Sequence, residues 1–102
     1  PNPPPRRAPG KQKAQEHVEA GNRALLTGNF SEAVAQMQRA LDADPGNLDA
    51  MIGLGIASVR VGKPCDGLKY YRRARDTSPN SPKVDRVKSL IKDLEREHPD
   101  CK

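Results

Sequence analysis

The amino-acid sequence predicts an all-α protein of five helices built as repeated helix pairs. Two observations point to helices. Apolar residues recur at three- and four-residue spacing through most of the chain, and no stretch alternates apolar and polar with period two, so no sheet is expected. A third concerns the repeat: small residues and prolines recur 34 positions apart. Gly21 pairs with Gly55, Gly28 with Gly62, Arg39 with Arg73, Ala40 with Ala74 and Pro45 with Pro79, while Ala33 pairs with the equally small Gly67. A period of this length is the size of one helix–turn–helix unit.

The elements follow in order. Residues 1–10 read PNPPPRRAPG, half of them proline. Proline lacks a backbone donor and fixes φ, so this stretch is expected to be extended. Residues 1–11 are accordingly assigned to a proline-rich basic linker and 12–102 to the folded domain. A helix is expected near 12–27 on Val18, Leu25 and Leu26, ending at Gly28-Asn29. Asn29, with Glu32 three residues on, caps a second helix near 31–43. That helix carries Ala33, Met37, Ala40 and Leu41 and stops before Pro45. A third, near 48–61, carries Met51, Leu54, Ile56 and Val59 and ends at Gly62. The fourth opens on Pro64, tolerated in a first turn, and runs to about Thr77 ahead of Pro79. The last, near 82–97, follows Ser81-Pro82 and has Val84, Val87, Leu90, Ile91 and Leu94 on one side.

Composition limits the function. The three aromatic residues, Phe30, Tyr70 and Tyr71, cannot fill a large interior, so helices must approach closely on aliphatic and small side chains. The formal charge is +5, but residues 1–13 contribute +4 through Arg6, Arg7, Lys11 and Lys13. The rest of the chain is nearly neutral, which argues against a nucleic-acid-binding face on the folded part. No apolar run reaches the roughly 18–20 residues that cross a bilayer. A first residue of Pro rather than Met is expected of a segment of a longer protein.

The stretch GNRALLTGNFSEAVAQMQRALDADPGN, residues 21–47, together with the 34-residue period, resembles the tetratricopeptide repeat family. The resemblance implies a right-handed superhelical stack of antiparallel helix pairs. It sets one repeat at 14–47, a second at 48–81 and a capping helix at 82–97. Within each pair, Gly21 and Gly55 should face Ala33 and Gly67, and Ala40 and Ala74 should meet the next helix. There are departures. His17 and Met51 stand where the family often has a large aromatic, and Ala24 and Ser58 where it often has Tyr. The second unit has Pro64 and Gly67 for Phe30 and Ala33, and is expected to pack less tightly.

The family's concave face is lined by the first helix of each unit, where partners usually lie. That implies a protein or peptide partner held by Val18, Asn22, Ile52, Ile56, Arg60, Lys83 and Arg86, with Leu25, Leu26, Asp49, Gly53, Val87 and Leu90 nearby. Mixed apolar and donor groups suit a segment with hydrophobic anchors and acidic groups. Asn22 and Lys83 also match two of the five positions with which some members clamp a C-terminal carboxylate. Val18 and Gly53 do not match theirs, so that specificity is not expected.

The repeat model also implies a pairing of the two cysteines. Cys65 begins the second helix of unit two, and Cys101 follows a capping helix whose end comes near that turn. A disulfide there would point to an oxidising compartment such as a bacterial periplasm or cell exterior. The alternative is two free thiols in the cytosol. No metal-ligand spacing is present, His17 and His98 have no nucleophile at a recognisable spacing, and the glycines sit at repeat positions rather than in a phosphate loop. No cofactor, metal, small-molecule substrate or catalytic residue is expected. The leading expectation is a protein–protein interaction or scaffolding module. Alternatives are a regulatory or oligomerisation appendage of a larger signalling enzyme such as a kinase, self-association through the end helix, and anionic-surface or nucleic-acid binding through the basic tail.

Overall fold

A computed structural model describes residues 9–102 and places five helices: α1 Pro9–Leu26, α2 Phe30–Ala43, α3 Leu48–Arg60, α4 Pro64–Thr77 and α5 Pro82–Glu97. There is no strand among the described residues. Four of the five starts fall within a residue of the expected ones. The exception is α1, and here the linker reading is corrected. Pro9, Gly10 and Lys11 are helical. Pro9 occupies the first helical position, where a missing N–H costs nothing. Gly10 lies so close to the end of α2 that an added Cβ would stand 2.5 Å from the Ala43 carbonyl oxygen. The remainder of the expected linker, residues 1–8, lies outside the described residues.

The turns within the two helix pairs, α1–α2 and α3–α4, are built alike, 34 residues apart. Gly28 (φ 78°) and Gly62 (φ 86°) hold the left-handed conformation that ends α1 and α3. Around them the Asn29 N–H donates to the Ala24 carbonyl (2.8 Å) and the Lys63 N–H to the Ser58 carbonyl (2.9 Å). Asn29 then serves as the N-cap of α2, its side chain accepting from the Glu32 N–H at 3.4 Å. At the matching position Lys63 gives no side-chain cap, and Pro64 follows it at the first helical position. Asn47 caps α3 through the Ala50 N–H (2.9 Å), and Ser81 caps α5 through the Lys83 N–H (3.3 Å).

The helices pack in sequence, α1 on α2, α2 on α3, α3 on α4 and α4 on α5, with α1 also touching α3. Three interior clusters result, two large and a small one of Ala24, Ala33 and Ala57. The first joins Val18, Met37, Ala40, Leu41, Met51 and Leu54, and Ala74, expected against the following helix, belongs to it as well. The second joins Leu68 and Tyr71 of α4 to Val84, Val87, Ile91 and Leu94 of α5. Met37 is the unexpected centre of the stack. A Cβ on Gly21 of α1 would meet its Sδ at 3.1 Å, and a Cβ on Gly53 of α3 would meet it at 2.7 Å. Gly21 thus nests on Met37, one turn beyond Ala33 along α2, and Ala33 itself packs with Ala24 and Ala57. Within the second pair, expected to pack less tightly, the helices approach closely at Gly67. A Cβ there would lie 3.0 Å from the Gly55 carbonyl oxygen, so α3 and α4 come close to backbone contact. The missing side chain lets the helices approach at that point.

Candidate functional site

The first helices of the pairs, α1 and α3, and then α5, stand side by side. α1 touches α3, Leu48, Ile52 and Val59 of α3 pack on the α4–α5 cluster, and Lys83 of α5 holds Asp49 of α3 at 3.0 and 3.2 Å. The residues expected to contact a partner are carried by these three helices, and their surroundings differ. Val18 is only 2% exposed and packs inside the first cluster, so it offers no surface. Gly53 is likewise buried, with Met37 behind it. Ile52 is half-buried and bridges both clusters. Ile56, one turn on, is 37% exposed, and Leu26 at the end of α1 is 87% exposed. These are the exposed large apolar side chains of the described residues, and both lie on first helices.

Polar groups surround them. Asn22, Arg60 and Arg86 are exposed. The Arg60 guanidinium lies 4.5 Å from the centroid of the Phe30 ring, a cation–π contact that aims it across the end of the first pair. Lys83 is occupied by Asp49, so its charge is balanced in place. Arg86 is near enough to act on the hydroxyl of Tyr71. That ring is 3% exposed, and its burial pushes the phenol up from 10.0 to about 12, with the Arg86 charge opposing. At the opposite edge, Lys11, Gln15, Asn47, Asp49 and Lys83 border an open hollow of about 450 Å³.

Sequence reasoning missed a second hollow, of about 490 Å³, on the outer side of α4, lined by Lys69, Arg72, Arg73, Asp76, Thr77 and Lys102. The helical spacing of 69, 72, 73 and 76 was the available signal. Arg72 there donates to Glu95 (2.9 Å) and to the Lys102 carbonyl (3.0 Å), and Arg73 to the Pro45 carbonyl (3.0 Å). His17 is bonded through Nδ1 to Gln36 Oε1 at 2.8 Å. No cluster of three or more His, Cys, Asp or Glu side chains able to hold a metal occurs among the described residues. No described helix is long and apolar enough to cross a membrane. Cys65 and Cys101 are joined by a disulfide, their Cα atoms 5.2 Å apart.

Stacked antiparallel pairs with matched glycine turns define a helical-repeat protein. The family follows from comparison with known sequences. A model of the tetratricopeptide repeat matches residues 24–91, and the chain belongs to that family. Its repeats generally mediate protein–protein interaction and are typically non-catalytic. No curated protein matches the chain.

Proposed function

We propose that the chain is a non-catalytic binding module that holds a segment of another protein on the concave α1–α3–α5 face. The supporting observation is the exposure of Ile56 at 37% and Leu26 at 87%, on helices whose other large apolar side chains are at least partly buried. Asn22, Arg60 and Arg86 beside them supply donors and positive charge. The partner segment this chemistry fits is extended or helical, with aliphatic side chains to cover Ile56 and Leu26 and carboxylates to meet the two arginines. The polar outer side of α5, with Lys88, Ser89, Lys92 and Arg96 exposed, favours a foreign partner over stacking of a second copy on the end helix.

The test is the double variant Ile56→Glu with Arg60→Glu, compared with the natural sequence for captured proteins by mass spectrometry. The variant is expected to keep its helical circular dichroism, because both side chains are exposed, and to lose the partner. Partners retained at unchanged affinity would place the binding surface elsewhere.

A further inference from the structure

The Cys65–Cys101 bond plays no part in the contacts just described, and its two ends differ. Cys65 is exposed and is the second residue of α4. Cys101 lies four residues beyond α5 and is partly buried against the α4–α5 cluster. The bond spans 36 residues and ties the far end of α5 to the start of α4.

α5 is the outermost helix and is buried on one side alone, through Val84, Val87, Ile91 and Leu94. Beyond those side chains its end is held by the bonds from Arg72 to Glu95 and to the Lys102 carbonyl, both exposed and so weakened by water and salt. A 16-residue helix is only marginally stable by itself in water. The covalent bond is therefore a principal restraint on α5, and α5 supplies Lys83, Arg86 and Leu90 to the binding face.

Position also favours opening the bond. Cys65 sits in the first turn of a 14-residue helix, where unpaired N–H groups and the helix dipole stabilise a thiolate. A sulfur that forms a stable thiolate departs readily in thiol–disulfide exchange, and exposed disulfides are the labile ones.

We infer that Cys65–Cys101 is a thiol-exchange site for a dithiol reductant, and that its opening frees α5 from the stack and weakens the binding face; the second part rests on the binding role proposed above. One thiolate of the dithiol attacks Cys101 Sγ and forms a mixed disulfide, while Cys65 Sγ leaves with the electron pair. The second thiolate of the dithiol then attacks its neighbour sulfur and releases Cys101 as thiolate. The reductant ends as a disulfide, two electrons have passed to the cysteines, and its two protons pass to them or to solvent.

The experiment compares the oxidised chain with the same chain reduced by dithiothreitol in native buffer. It reads free thiols, hydrogen exchange of the α5 amides, and affinity for a fluorescein-labelled peptide of alternating Glu and Leu. Two thiols are expected without denaturant, with exchange in α5 faster by about tenfold or more and protection in α2 and α3 retained. Peptide affinity is expected to fall by about fivefold, and Cys101→Ser to match the reduced protein without reductant. The reduced natural chain, folded before its bond is opened, decides the matter if Cys101→Ser fails to fold. Unchanged α5 protection after reduction, or a bond that opens only on unfolding, overturns the inference. A peptide that binds neither form defeats the binding role instead, and α5 exchange still decides whether the bond holds that helix.

Discussion

Tyr71 shows how one buried side chain links packing to pH. Its ring lies against Gly55, where an added Cβ would meet ring carbons at 2.5 Å, so the phenol is held where the charged form is poorly solvated. Burial raises its titration from 10.0 to about 12. Because the folded-state value lies above the unfolded one, the stabilisation is fully present below pH 10 and is lost as pH rises through 10 toward 12. Denaturant melts across that window are expected to show stability falling with pH, and Tyr71→Phe is expected to remove that part of the slope. An equal slope in both proteins would show that Tyr71 does not carry it. At the same scale, Ile52 and Ile56 lie one helical turn apart on α3, yet the first bridges two clusters and the second meets solvent.

At the scale of the elements, the two hairpins differ at one cap. The α1–α2 turn uses Asn29 twice, its backbone closing α1 and its side chain opening α2. The α3–α4 turn has the same backbone bonds, but Lys63 leaves the start of α4 without a side-chain acceptor. Lys63→Asn is expected to supply it, through the Asp66 N–H, and to raise stability by about 1 kcal/mol. Thermal unfolding followed by circular dichroism measures this, and an unchanged midpoint would mean that solvent already serves that N–H equally well. Exposed pairs such as Lys83–Asp49 and Arg96–Asp93 contribute little beside such caps, each within about 1 kcal/mol.

Across the whole molecule, stability is shared through Met37. Its thioether fills the space left by Gly21 on its own pair and by Gly53 on the next, so the two repeats meet on one side chain. Met37→Ala is expected to open a cavity between both pairs and to cost about 2–5 kcal/mol. Since each repeat depends on its neighbour's interface, unfolding should lose its sharpness as well as its midpoint. Chemical denaturation would report both, and a loss below about 1 kcal/mol with an intact transition would show that the helices close over the gap. At the other end of the stack, α5 covers the apolar side of α4 and turns a charged side outward, which suits a terminal helix.

The helices, their turns and the 34-residue period were legible in the sequence because each depends on near neighbours: a glycine able to take positive φ, an Asn before a helix, a proline after one. The start of α1 was not legible, since proline content alone argued for an extended chain and only the contact of Gly10 with Ala43 shows why the helix continues to Pro9. The face proposed for binding was half legible. Periodicity marked an apolar stripe on each helix, but the stripe does not say which of its members neighbours will cover. Val18 went inside because α2 and α3 close over it, whereas Ile56 is covered only in part. The seat of Met37 between two glycines was likewise decided by tertiary packing. Local backbone preference is written residue by residue, whereas burial belongs to surfaces that meet only when distant helices come together.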